Sequence, residues 1–179
     1  MQKRLILDSS LLDITISRLC QHLIENHGNF NETVILGIQP RGVFLARRIK
    51  ARLDSLISQE ILLGELDMTF YRDDFRRRDE PIKANSTSIP FVIEDMNVIL
   101  IDDVLYTGRS VRAALDAMIA FGRPKKVELM VLINRRYSRD LPIAPDYIGK
   151  NVNTVQSQRV LVEWKEQGAE NDNIWLITT

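Results

Sequence analysis

Val98-Ile99-Leu100-Ile101-Asp102-Asp103-Val104-Leu105-Tyr106-Thr107-Gly108-Arg109-Ser110 decides the fold. Four consecutive apolar residues rich in β-formers are too few for a buried helix and suit a central parallel strand covered on both faces. The strand is expected to end on Asp102 and Asp103. In an open α/β sheet, ligands sit outside the carboxyl ends of the strands, which places both acids where a ligand is expected. Thr107-Gly108-Arg109-Ser110 then opens an apolar-periodic segment with Val111, Ala114, Leu115 and Met118. The first backbone amides of such a helix are unpaired and its dipole favours negative charge, so the turn is an anion cradle. Carboxylates accept hydrogen bonds from vicinal hydroxyls and ligate or lie near Mg²⁺. Acids plus cradle therefore suggest a sugar phosphate. Two other arrangements fit less well. Acids that merely cap the next helix would be costly behind an apolar strand, and a phospho-acceptor receiver domain expects its acids on separated strands near the chain start.

A second strand-loop-helix precedes the first. The run from Thr33 to Ile38 ends at Gly37-Ile38-Gln39-Pro40-Arg41-Gly42, and Val43, Leu45, Ala46, Ile49 and Leu53 then recur at helical spacing. A fixed Arg41 guanidinium and exposed loop amides can clamp a diphosphate. A plain turn reads the same way when taken alone. From Tyr71-Arg72-Asp73 to Ile89-Pro90 the chain is long, charged and aperiodic, which in a compact domain marks a binding loop or lid, or a solvated loop without a role.

The thirteen-residue run resembles the phosphoribosyl-pyrophosphate signature of type I phosphoribosyltransferases. That resemblance implies an α/β fold with a central, mostly parallel sheet flanked by helices, a flexible loop and a small hood. It implies that 98–110 binds phosphoribosyl pyrophosphate, with Asp102 and Asp103 on the ribose hydroxyls and the amides of Tyr106 to Ser110 on the 5-phosphate. Gln39, Pro40, Arg41 and Gly42 correspond to the pyrophosphate loop, although Gln39-Pro40 replaces the Lys-Thr or similar pair associated with it, and Pro40 removes an amide donor. The flexible loop would bring Arg72 against pyrophosphate, with Mg²⁺ as cofactor.

Asp67 to Asp74, Asp102 to Arg109 and Asp146-Tyr147-Ile148-Gly149-Lys150-Asn151 narrow the resemblance to bifunctional pyrimidine operon regulators with uracil phosphoribosyltransferase activity. The implied reaction converts uracil and phosphoribosyl pyrophosphate to UMP and pyrophosphate, with Asp102, Asp103, Arg41 and Arg72 carrying it. By similarity to purine salvage enzymes, the base would lie near Arg135, Arg159 and Val160, and Glu166 would assist Mg²⁺. Nucleotide-dependent binding of pyrimidine leader mRNA would use Arg18, Arg136, Arg139 and Lys150. Gln21, Ala144 and Tyr137-Ser138 depart from well-known members, and each missing cation weakens a phosphate contact. Family members self-associate, so a homodimer or homotetramer is expected. A phosphoribosyltransferase without an RNA role and a purine-specific one are the alternatives.

At 179 residues the chain is read as a single domain, 1–179. Lys+Arg and Asp+Glu both total 24, so RNA binding would need a local patch. One cysteine, Cys20, at helical spacing from Leu19, Leu23 and Ile24, reads as a buried thiol in a reducing cytoplasm. Leu5-Ile6-Leu7 is too short for a signal peptide or membrane span. Asp8-Ser9-Ser10 with Asp13 reads as a capped helix start with Leu11, Ile14, Leu19, Leu23 and Ile24 on its apolar face and Gly28 as its stop. His22 and His27 read as surface residues. Met118 and Met130 read as core, Val127 to Ile133 as a buried strand, Leu141 to Asn151 as irregular, and Val160–Val162 and Ile174–Ile177 as short strands with Trp164 and Trp175 packed on them.

Overall fold

The apolar run ahead of the acid pair is the middle of a sheet. The computed structural model describes residues 2–73 and 85–178. In chain order these form β1 (Gln2–Leu7), α1 (Ser9–His27), β2 (Thr33–Ile38), α2 (Gly42–Asp54), β3 (Leu63–Leu66), β4 (Asn97–Leu105), α3 (Arg109–Met118), β5 (Lys126–Arg136), β6 (Tyr147–Asn153), β7 (Gln158–Glu163) and β8 (Asn173–Thr178). Five strands pair in parallel in the order β3-β2-β4-β5-β6, and Val98 to Ile101 on the central one are fully buried. Their side chains alternate between two cores. Ile99 and Ile101 pack with α1 and α2, while Val98 and Leu100 pack with α3. A strand covered on both faces needs an unbroken apolar run, which is what the sequence supplies.

The second sheet is a three-stranded antiparallel hood, β1-β8-β7, built from the two ends of the described chain. Parallel core, flanking helices and separate hood agree with the expected architecture. Two strands went unread because they lie on edges. β1 is exposed over most of its length, and β6 carries Lys150, Asn151 and Asn153 outward, so neither shows an apolar signature. The segment read as irregular through Asn151 is therefore strand from Tyr147 onward.

Helix α1 departs in detail from its expected face. Asp8 is the cap, its carboxylate accepting from the Leu11 amide at 2.8 Å. The buried stripe is Leu12, Thr15, Ile16, Leu19, Cys20 and Leu23, whereas Leu11 and Ile14 face outward. Leu19 and Leu23 fit both registers, so apolar spacing alone did not fix the phase.

His27 is no surface residue. Its ring nitrogens lie 3.0 Å from Thr33 Oγ1, 2.6 Å from Glu128 Oε2 and 3.1 Å from Tyr147 Oη, in a buried cluster at the amino end of the sheet. His22 is exposed but stacks edge-on against the Tyr147 ring. The cluster ties the end of α1 to β5 and β6. Burial pushes the Glu128 carboxyl up, but Lys126 at 2.6 Å and His27 outweigh it and hold Glu128 below its ordinary range. A carboxylate held low stabilises the fold above its unfolded pKa, and that contribution disappears as pH falls through the native value. Glu128→Gln should lower stability by ~1–3 kcal/mol near neutrality, and the difference should shrink as pH drops through the carboxylate range; denaturant titrations at several pH values measure it.

Candidate active site

β4 is paired on both sides only as far as Ile101. Its bonding to β2 stops at Gly37–Ile101, while pairing with β5 continues to Leu105–Asn134. The acids thus lie within the strand and not at its end as the sequence suggested, on a stretch with an open flank. The start of α2 fills that flank. A side chain at Gly42 would put its Cβ 2.9 Å from the Asp102 Cα and against the Ile101 carbonyl, so only glycine allows this approach. Arg41 is held there, its Nε donating to Asp103 Oδ2 at 2.9 Å. Asp102 Oδ1 accepts from the Asp103 amide at 2.9 Å. Burial and the adjacent Asp103 carboxylate hold Asp102 well above the usual carboxylate range.

This is also where the chain reverses its direction of travel through the sheet, since β2 leads to α2 on one face and β4 to α3 on the other. The crevice at such a switch point is the expected ligand position. Gly108 caps α3 with φ +93°, a left-handed conformation that suits glycine, and the Arg112 amide donates to its carbonyl at 3.0 Å. The amides ahead of Arg112 have no carbonyl four residues back within the helix, and that of Arg109 donates to Thr107 Oγ1 at 3.5 Å.

The turn is clasped from outside by the segment after β5. The Asp140 and Leu141 amides donate to the Thr107 carbonyl at 3.0 and 3.2 Å. Arg139 donates through Nη1 to the Tyr106 carbonyl, and Arg109 Nε donates to Asp140 at 3.2 Å. Arg109 also reaches Asp73 at 2.5 Å, so the start of the charged stretch meets the 106–110 turn. Asp67 fastens that stretch at both ends, accepting from the Thr69 and Asn85 amides. Arg72 lies half-buried between Tyr71 and Asp73. Residues 74–84, most of the expected flexible loop, lie outside the described residues. In the 39–42 loop the Gln39–Pro40 peptide is cis, and Gln39 Nε2 donates to Glu65 and to the Ser86 carbonyl, both at 3.1 Å.

Of the base-side candidates, Arg135 is buried, its guanidinium 3.8 Å from the Tyr106 ring centroid and its Nη2 donating to the Gln158 carbonyl of β7 at 2.7 Å. Two residues along β7 from the half-buried Val160, the Val162 carbonyl accepts from Arg41. Arg159 is exposed. Glu166 is not brought to the acids. Both its oxygens bind Arg48, which also holds Asp172 and stacks on Trp164, making a strap between α2 and the hood. Sequence spacing gave no hint of this, because the partner lies 118 residues away.

The four expected RNA contacts also divide. Arg18 donates to the Ile148 and Gly149 carbonyls, and Lys150 to the Ile6 carbonyl at 3.2 Å, both along β6. Arg136 is exposed, and Arg139 is engaged with the 106–110 turn and with Asn134.

Residues 5–167 match the phosphoribosyl transferase domain family. The chain belongs to the phosphoribosyltransferases. Within them it stands with the type I enzymes, beside proteins named bifunctional protein PyrR. The one from Bacillus subtilis is 42% identical over 92% of both chains, and that from Streptococcus agalactiae is 44% identical over 93% of this chain and 92% of its own. Among solved structures, hypoxanthine phosphoribosyltransferase from Trypanosoma cruzi superposes with a TM-score of 0.72 at 12% identity, covering 98% of this chain and 96% of that one. The Staphylococcus aureus enzyme gives 0.70 at 16%, covering 96% and 90%. At such identities the likeness is one of fold.

A carboxyl whose native pKa is raised opposes folding once it ionises. Stability therefore falls as pH rises from the unfolded pKa through the native one. Asp102→Asn removes this penalty and keeps an oxygen for the Asp103 amide. The variant should be more stable than the parent at neutral pH, by about 1 kcal/mol or ~2–4 °C in melting temperature, with the two curves converging in acid; calorimetry across pH tests this.

Proposed function

We propose that this chain transfers the ribose 5-phosphate unit of phosphoribosyl pyrophosphate to uracil, giving UMP and pyrophosphate. The observation that carries the proposal is the Asp102–Asp103 pair on the open flank of β4, set between the α2 and α3 starts and faced by Arg41. A ligand with vicinal hydroxyls and a phosphate at each end matches that sequence of groups. The α3 turn seats the 5-phosphate through its first-turn amides, that of Arg109 exchanging its long bond to Thr107 Oγ1 for the ligand. The acids accept the ribose hydroxyls and favour positive charge on the ring as the bond from C1 to pyrophosphate breaks. Arg41 and Arg72 meet the departing pyrophosphate, which keeps the bonding electron pair. A ring nitrogen of the base, losing its proton, forms the new bond to C1.

The acid pair also fits Mg²⁺. Both groups are hard oxygen donors, burial and the adjacent Asp103 carboxylate hold Asp102 well above the usual carboxylate range, and no group of three or more metal-binding side chains occurs among the described residues. An ion there would take its other ligands from substrate oxygens and water, which is how Mg²⁺ is commonly bound. When bound, it neutralises charge on the phosphates.

The base is proposed to lie under β7, near Arg135, Arg159 and Val160. We further propose that the uridine nucleotide complex binds pyrimidine leader mRNA along the side carrying Arg18, Arg136, Arg139 and Lys150, that 1–179 works as one domain, and that the chain acts in the cytoplasm as a homo-oligomer. The identity to PyrR proteins over most of the chain supports these readings, and no described helix is long and apolar enough to cross a membrane.

Asp103→Asn should lower kcat by ~100-fold or more, the scale for removing a preorganised electrostatic group, with the circular dichroism spectrum unchanged; near-normal turnover refutes the role. In the same pyrophosphate-release assay, uracil should react and hypoxanthine and guanine should not; the opposite result assigns the chain to purine transfer.

A further inference from the structure

Arg139 does more than hold the phosphate turn. Its Nη1 donates to the Tyr106 carbonyl while its Nη2 donates to Asn134 Oδ1 at 2.6 Å. Asn134 is buried at the end of β5, and its Nδ2 donates to Asn151 Oδ1 on β6 at 2.7 Å. The amide orientation of Asn134 is set from both sides, since its oxygen must face the guanidinium and its nitrogen the Asn151 oxygen. An unbroken chain of side-chain hydrogen bonds thus runs from the backbone of the phosphate turn to the outer edge of the core sheet.

That edge opens into two adjoining cavities of about 380 and 500 Å³ between β6 and the hood. Arg4 and Asn153 line both, Lys150 and Asn151 line the first, and among the described residues no carboxylate lines either. A cleft with two cations and several amides suits phosphodiester oxygens and base edges.

We propose that Arg139, Asn134 and Asn151 form a relay that reports a phosphate on the Tyr106–Ser110 turn to the β6 edge, and thereby regulates nucleic-acid binding in the β6–hood cleft. This rests on the nucleotide and RNA readings above. A phosphate accepted by the turn's amides draws the Tyr106–Thr107 backbone toward it. The Tyr106 carbonyl then pulls on Arg139, and the fixed Asn134 amide passes the displacement to Asn151. Arg139 and Asn134 are positioning residues, while Asn151 also lines the cleft. By linkage, a ligand in the cleft strengthens nucleotide binding by the same factor.

The test uses hydrogen–deuterium exchange of the 147–153 segment in the full chain, with and without UMP, in the parent protein, Asn151→Ala and Asn134→Ala. Asn151 is exposed, so its truncation leaves the fold in place even if Asn134→Ala does not. UMP should slow exchange of this segment in the parent, and both variants should lose that response while still binding UMP. A parent segment indifferent to UMP, or variants that respond as the parent does, overturns the relay. The second measurement is affinity for pyrimidine leader RNA at fixed salt. UMP should raise it by ~5-fold or more in the parent, the lower bound of typical coupling, and by close to 1-fold in Asn151→Ala. An enhancement undiminished in Asn151→Ala overturns the relay. If the exchange response behaves as expected but no RNA binds to the parent, the relay stands and the RNA reading falls.

Discussion

The ion pair between Arg41 and Asp103 is the constraint on which the remainder depends. Two neighbouring carboxyls on the open flank of a buried strand repel each other and are poorly hydrated, and one guanidinium satisfies only one of them. The chain meets this by bringing the start of α2 into van der Waals contact with β4, which requires Gly42, and by leaving Asp102 short of positive charge. The deficit is what a sugar-phosphate ligand and its metal would relieve. Stability given up at this point is recovered elsewhere in the fold, notably in the buried His27–Glu128–Tyr147 cluster at the opposite end of the sheet.

Arginines also do the joining between the two sheets. Arg41 and Arg135 each hold a β7 carbonyl while Arg41 also binds Asp103 and Arg135 binds Thr154 and lies on the Tyr106 ring, and Arg48 binds Glu166 and Asp172. A guanidinium suits this task because its donors are fixed in a plane and lie far enough apart to reach two elements at once. The hood is thereby positioned by the same residues that face the ligand, so its placement and the state of the site are mechanically related.

How much of this was readable beforehand depends on whether the information was local. The buried β4, the glycine turns and the apolar faces of α2 and α3 are written in runs of adjacent residues, and they carried the fold class and the resemblance. The β4 acids, Arg41 and the phosphate turn were legible for the same reason, and the structure brings them together. Edge strands β1 and β6 were not, since an exposed edge needs few apolar side chains. The partners of His27, Glu166 and Arg139 were beyond reach too. His27 meets Glu128 and Tyr147, 101 and 120 residues away, Glu166 meets Arg48, and Arg139 answers to a backbone carbonyl that has no residue signature. Reading Leu11 and Ile14 as inward failed through helix phase, which only the packing of the neighbouring elements sets.

The hood shares no backbone ladder with the core sheet. Its strands meet the core through packed side chains and through core arginines and a lysine that hold hood carbonyls, so β7 can change composition without disturbing the register of β2, β4 and β5. On the proposed reading, recognition of the sugar phosphate and of the base would therefore be housed in parts with separate tolerances. Grafting a different three-stranded cap onto this core, with the arginine sockets retained, is the natural route to an enzyme of altered nucleobase preference.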